Sequence, residues 1–322
     1  MNDAKSSTAT ATTATAKQPL APVGRFAPSP TGPLHLGSLV AATGSYLDAR
    51  HGGGRWLLRI EDLDTARNLP GAEATIRATL QSFGFRPDGA VLRQSERLPR
   101  YLTAIRILAE AGRVFHCGCS RRDIAAATAT AAGAGAGARA GDEPRCVGRC
   151  RERRIDPAQA ALRASLEGLA PRCVQDRSGR EIRFDPEVQT DVVIRRRDGV
   201  IAYQLAVIVD DAEQGISDVV RGGDLLPSTA WQLALQQALS LPTPRYLHLP
   251  VITEPDGSKL AKSRRSLPLD PATATDSLCR ALTLLNQPLP PASRQATLEA
   301  LWDWAIAHWD PAAATARSTV SA

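Results

Sequence analysis

Two of the four lysines in this chain stand three residues apart in DGSKLAKSRRS (Asp256–Ser266), as Lys259 and Lys262. The other two, Lys5 and Lys17, lie in an Ala/Thr-rich N-terminal stretch, and the rest of the 39 basic residues are arginine. Lysine is a compact point charge on a flexible stem, whereas arginine presents a planar fork. A cation that follows a phosphate while its charge shifts suits lysine better. The same segment, with Arg264 and Arg265 behind it, also reads as a solvated basic loop or a nucleic-acid contact.

A second set of residues fits nucleotide chemistry. In RFAPSPTGPLHLGSL (Arg25–Leu39), a short apolar run ends in a proline-locked turn, and His35 and Gly37 open a helical pattern. A helix start offers backbone N–H groups and a positive dipole end to phosphate. Gly37 lets a base or ribose approach the backbone, and His35 can donate to a phosphoryl oxygen. Taken alone, His35 also reads as a packed helix-entry histidine.

Cysteines form the third set. Cys117 and Cys119 in CGC, with Cys146 and Cys150 in CVGRC, give two close pairs and four thiolates, a tetrahedral structural zinc set. A disulfide between Cys117 and Cys119 would be strained. Cys173 and Cys279 read as ordinary residues.

These residues need elements to position them. VGRFA (Val23–Ala27) is a strand candidate, GSLVAATGSYLDARH a helix, and RWLLRIEDLD (Arg55–Asp64) a second strand. GAEATIRATLQSFGF and RYLTAIRILAEAGRV are amphipathic helices, so the order is strand–helix–strand–helix, an α/β pattern with a parallel sheet. Ligands of such sheets sit at the carboxyl ends of the strands, which places Arg25–Ser29 and Glu61–Asp64 on one edge. Thr190–Leu226 reads as strand-like runs alternating with turns, including an RDG hairpin signal. Helices are expected at Thr229–Leu239, Asp276–Leu285 and Arg294–His308. Three low-complexity stretches are expected as mobile tails or loops: the N terminus, Ala125–Gly141, and the end from about Pro311.

The 322 residues allow two domains or one large domain with an insertion, and 43% hydrophobic with 22% charged residues is ordinary for a globular protein. A net charge of +6 permits a polyanionic partner. No apolar run approaches the ~20 residues of a membrane span, and the N terminus lacks the apolar core of a secretory signal. The expectation is a cytoplasmic monomer with reduced cysteines and no membrane partner. No Ser-His-Asp or Cys-His set stands out, so chemistry here rests on positioning and electrostatics.

RFAPSPTGPLHLGSL, RIEDLD, AYQLAVIVDD, DVVRGGDL and KLAKS, in that order, resemble the signature blocks of class I aminoacyl-tRNA synthetases, specifically the glutamyl branch. The resemblance spans Arg25 to Leu267. It implies a Rossmann-type catalytic domain, an inserted zinc-binding, acceptor-type subdomain and a short helical C-terminus. It further implies activation of L-glutamate by ATP and Mg²⁺, with His35, Gly37, Lys259 and Lys262 in catalysis and His35, Gly37 and Lys262 on ATP. Arg25, Phe26, Ala27, Pro28, Ser29, Glu61, Tyr203 and Arg221 would hold glutamate, and Cys117, Cys119, Cys146 and Cys150 one structural Zn²⁺. Ala261 and Ser38 depart from the wider class I pattern, and Cys146 stands where relatives can use tyrosine or histidine.

The implied layout is a tail over 1–20, catalytic halves at 21–112 and 190–270 and the insertion at 113–189. A short helical region at 271–310 and a tail at 311–322 complete it. So short a C-terminal region resembles the glutamyl-queuosine branch, which transfers glutamate to queuosine in the anticodon of tRNA(Asp). The alternatives are a synthetase charging tRNA(Glu), a non-catalytic glutamate-binding protein, and a small-molecule adenylyltransferase.

Overall fold

The run RWLLRI forms β2 (Arg55–Ile60), and its side chains alternate between two apolar clusters. Trp56 and Leu58 enter one, and Leu57 enters the other, as the two-residue repeat of a strand requires. A strand buried on both faces belongs in a parallel sheet covered by helices. The computed structural model describes residues 21–120, 122–124, 146, 150–253, 267–291, 293 and 295–321. In it, β1 (Val23–Phe26), β2 and β3 (Leu92–Arg93) pair in parallel. A second parallel pair, β9 (Asp218–Gly222) with β10 (Arg245–Leu249), lies alongside, and Ser217 N–H donates to Val23 O at 3.0 Å to join β9 to β1.

Helices α1 (Leu36–His51), α2 (Ala72–Ser82), α6 (Ala274–Leu284) and α7 (Leu298–Ala307) cover one face. They contribute Leu47, Ile76, Leu278 and Trp302 to the first cluster. Helices α3 (Leu98–Glu110), α4 (Tyr203–Glu213) and α5 (Leu226–Ala238) cover the other with Leu108, Leu205 and Trp231. Each fully buried aliphatic side chain contributes ~1.5–3 kcal/mol, and these layers hold the strand ends that form the site. No helix among the described residues is long and apolar enough to cross a membrane.

Between the halves, β4 (Val114–Cys117), β5 (Ala161–Ser165) and β8 (Asp191–Arg195) form an antiparallel sheet. β6 (Arg172–Gln175) and β7 (Glu181–Phe184) form a separate antiparallel hairpin in the same insertion. β8 is thus hydrogen-bonded into the inserted region and not, as a boundary at 190 implies, into the second catalytic half. Phe184 and Ile194 pack in the same cluster as α4 and α5, so insertion and catalytic half share one core.

Three other expectations need correction. The second strand stops at Ile60, and Glu61–Asp64 is loop, because the acidic residues leave the sheet at the cleft. YQLAVIVDDAE is helix α4, not a strand; its residues Gln204 to Asp211 are all buried, so a run rich in Val and Ile marks burial on every side and not the β period. The chain end from Pro311 is built rather than a tail. It contains α8 (Pro311–Ala314) and β12 (Thr319–Ser321), which pairs in parallel with β11 (Val251–Thr253). The RDG signal holds as a tight turn, with Gly199 at φ 86° and Arg196 N–H donating to Val200 O at 2.8 Å. The expected 1–20 tail and all of Ala125–Gly141 lie outside the described residues.

Candidate active site and cysteine cluster

A cleft of about 1330 Å³ opens at the carboxyl ends of β1, β2 and β9. Its wall contains Arg25, Phe26, Ala27, Pro28, Ser29, His35, Gly37, Glu61, Tyr203 and Arg221, which brings together every described residue expected to bind glutamate or nucleotide. Glu61 N–H donates to Pro28 O at 3.0 Å, stitching the two signature loops to each other. Gly223 is needed at this edge, since a Cβ there would sit 2.8 Å from Leu249 O. Val251 and Ile252 of β11 also line the cleft; Lys259, Lys262, Arg264 and Arg265, which follow β11 in sequence, lie outside the described residues.

His35 is the N-cap of α1. Its Nδ1 accepts from Gly37 N–H at 3.1 Å and Ser38 N–H at 3.4 Å. The helix start therefore does not present those two amides bare, as the sequence suggested, because the imidazole satisfies them itself. An accepting Nδ1 puts the proton of the neutral ring on Nε2, which becomes the ring's donor.

Beneath the cleft lies a buried ion network centred on Arg59, whose side chain is wholly inaccessible. Its Nη1 donates to Asp211 Oδ1 at 2.7 Å, its Nη2 to Glu61 Oε1 at 3.3 Å, and its Nε lies 3.9 Å from Asp210 Oδ2. Arg25 Nε also donates to Asp211 Oδ1, at 3.1 Å. Burial alone would raise the Asp211 carboxyl, but Arg25 and Arg59 outweigh it and leave it below the ordinary range. At Glu61 burial wins over the same two arginines, and the carboxyl is raised.

Arg59→Leu should destabilise the fold by about 3–5 kcal/mol, the cost of leaving buried charge uncompensated. Its loss should shrink as pH falls from about 8 to 5, because protonation removes the orphaned charge. In the wild type the sign is opposite. The depressed Asp211 contributes stability above the unfolded value of ~3.9 that is lost as pH falls through the folded value. Denaturant midpoints against pH check this; an unchanged midpoint at pH 8 would refute the network's role.

Arg221 differs from these arginines. It is 5% exposed, yet among the described residues no carboxylate pairs with it. Its partners are Tyr203 OH at 3.2 Å, Thr229 Oγ1 at 2.7 Å, Gln232 Oε1 at 2.9 Å and His248 Nε2 at 3.3 Å. A buried cation satisfied by neutral acceptors on the wall of a cleft leaves its charge for a ligand anion.

On the far side of the cleft the four cysteines converge. Their Sγ atoms all lie within 4.8 Å of one another, and all four thiols are free of disulfides. Cys119 Sγ lies 3.8 Å from Cys146 Sγ and 3.6 Å from Cys150 Sγ. Tetrahedral ligation at a Zn–S length of ~2.3 Å requires sulfurs ~3.8 Å apart, so the set fits a metal ion. Asp191 of β8 accepts from Cys146 N–H at 3.2 Å and pairs with buried Arg163, which ties the Cys146 backbone to β8. Cys119 also lines the cleft, so the cluster buttresses its wall.

Sequence reading missed Arg59, Asp211, Thr229, Gln232 and His248. The signal for the first two was present as charge inside apolar runs, RWLLRI and AVIVDD, where a buried charge needs a partner. The other three carried no local signal.

Comparison with known proteins agrees with this geometry. The family model described as tRNA synthetases class I (E and Q), catalytic domain, matches residues 23–282. A Pseudomonas aeruginosa protein named glutamyl-Q tRNA(Asp) synthetase is 49% identical over 290 residues, covering 89% of this chain and 93% of its own. One of the same name from Ectopseudomonas mendocina is 47% identical over 288 residues, covering 89% and 93%. Among solved structures, a glutamate tRNA ligase from Elizabethkingia meningosepticum in complex with its amino acid superposes with a TM-score of 0.70 at 26% identity. That match covers 91% of this chain but 66% of the ligase.

Proposed function

From a chain that belongs to the class I tRNA synthetase family of the E and Q type, we propose an enzyme that activates L-glutamate with ATP and transfers it to queuosine in the anticodon of tRNA(Asp). The observation that carries the amino acid is Arg221, a buried cation in the cleft with neutral partners only among the described residues. Its fork takes the side-chain carboxylate of glutamate; glutamine would set amide N–H groups against guanidinium N–H groups. Glu61 meets the ammonium end, Tyr203 completes the pocket beside Arg221, and Arg25 to Ser29 form the loop around it. His35 and Gly37 place the nucleotide, with Lys259 and Lys262 on the phosphates of Mg-ATP.

In the first step an oxygen of the glutamate α-carboxylate attacks the α-phosphorus, a new O–P bond forms, and pyrophosphate leaves. No protein nucleophile takes part, so the cleft works by alignment and charge stabilisation. In the second, a hydroxyl of the acceptor attacks the mixed anhydride carbonyl, an ester forms and AMP leaves. The acceptor assignment follows the relatives at 47–49% identity, whose whole length this chain nearly spans, in preference to the ligase at 26%. Arg197, on the cleft wall and exposed, supplies a cationic contact for a nucleic-acid backbone, whereas Arg67 and Arg196 beside it are paired with Asp64. Glutamate-dependent exchange of pyrophosphate into ATP tests the first step, and its absence would leave the non-catalytic and adenylyltransferase readings.

The cysteine set would hold one Zn²⁺ per chain as a structural ion that braces the insertion against the cleft. Elemental analysis of protein purified without chelator should find about one zinc per chain. Cys146→Ser should lower retention; metal-free wild-type protein would remove this site.

A further inference from the structure

Arg221 does not hold itself in place. Its Nε donates to His248 Nε2 at 3.3 Å, and the same imidazole nitrogen lies 3.0 Å from Thr229 Oγ1, which accepts from Arg221 Nη2. On the other side of the ring, His248 Nδ1 meets the carboxylate of Asp176. Asp176 is itself buried and locked, accepting from His248 N–H at 3.0 Å and Ser178 N–H at 2.6 Å. The chain thus places carboxylate, imidazole and guanidinium in a line running from the inserted hairpin region through β10 to β9.

We infer that Asp176 and His248 are positioning residues that aim Arg221 at an acidic side chain, and so set the preference for glutamate over glutamine. The inference rests on the proposed glutamate pocket and extends it to two residues outside the cleft wall.

The chemistry of the ring decides the arrangement. A neutral imidazole has one donor and one acceptor nitrogen. Asp176 accepts at Nδ1 and holds the proton there, so Nε2 keeps its lone pair toward the Arg221 N–H. The opposite tautomer would set two donors against each other. Burial, then the nearby Arg221 and Arg180, push His248 down to about 4 against the pull of Asp176, so the ring is neutral at physiological pH. Burial raises Asp176 less than its hydrogen bonds lower it, and it stays ionised.

The spacing matters as much as the orientation. A carboxylate in direct contact with Arg221 would neutralise the fork and leave nothing for a substrate anion. One imidazole away, Asp176 still offsets the burial of the guanidinium through a hydrogen-bonded chain. Tyr246 completes the packing, with its ring 5.5 Å from the Arg221 guanidinium carbon and stacked on His248 at 6.0 Å.

The test compares wild type, His248→Leu, His248→Gln and Asp176→Asn in glutamate-dependent pyrophosphate exchange, with thermal melting alongside. Michaelis constants and substrate ratios do not depend on the fraction of folded protein. His248→Leu should raise KM for glutamate about ten- to a hundredfold, the loss of a hydrogen bond to a charged group. KM for ATP should stay within about twofold, and the kcat/KM ratio of glutamate over glutamine should fall about tenfold or more. His248→Gln, which keeps an acceptor and a donor, should recover part of both, and Asp176→Asn should show the same pattern more weakly. Parallel rises in both KM values, or an unchanged substrate ratio, would overturn the inference while leaving glutamate activation standing. Wild-type protein with no exchange would overturn the activation reading, and the inference with it.

Discussion

Arg221→Leu is expected to raise the glutamate requirement about 10²–10³-fold, because truncating one side of a buried, hydrogen-bonded charge pair costs about 2–5 kcal/mol. The requirement for ATP should change little, since Arg221 sits at the end of β9 among Tyr203, Thr229 and Gln232 and away from the His35 signature. Arg221→Lys should recover only part of the affinity. Lysine keeps the charge but cannot present a fork to a carboxylate, nor satisfy the Thr229, Gln232 and His248 acceptors together. Both variants leave buried acceptors unpaired and will lose some stability, so the diagnostic quantity is the ratio of the two KM changes. Equal damage to the glutamate and ATP constants would move Arg221 out of the amino-acid pocket.

The layout of this pocket was legible where local pattern and chemistry agree. The amphipathic runs that became α2 and α3, and the apolar run that became β2, were visible because burial imposes their periods on the sequence. So was the convergence of Arg25–Ser29 with Glu61, since strand ends in a parallel sheet share an edge. α4 was misread because complete burial erases the polar face by which a helix is recognised. β12 escaped because its partner, β11, lies far back in the chain and nothing in ARSTVS announces that pairing. The relay behind Arg221 was hidden for the same reason. Asp176 and His248 are 72 positions apart, and Arg59 and Asp211 are 152 apart, so only the fold shows that these charges meet. His35, expected to meet phosphate, is the helix cap of α1, a role that its spacing to Gly37 and Ser38 allows but does not require.

The largest effect expected is on the acceptor. The terminal ribose of a tRNA and the cyclopentene ring of queuosine both carry a pair of adjacent hydroxyls, and either can attack a glutamyl-adenylate. The adenylate chemistry therefore does not distinguish them. Recognition by the cleft rim does, and a rim cation such as Arg197 holds the backbone without reading sequence. The base modification itself must then complete the site. Periodate cleaves both diols and cannot separate the two acceptors. The direct measurement incubates the zinc-replete wild-type protein with labelled glutamate, ATP and Mg²⁺, and supplies tRNA(Asp) that carries queuosine, the same tRNA without it, or tRNA(Glu). Label should enter only the queuosine-containing tRNA(Asp) and should map to its anticodon loop after nuclease digestion. Equal labelling of tRNA(Asp) with and without queuosine, or label on the terminal adenosine of tRNA(Glu), would contradict the account and assign the protein to acceptor-end charging.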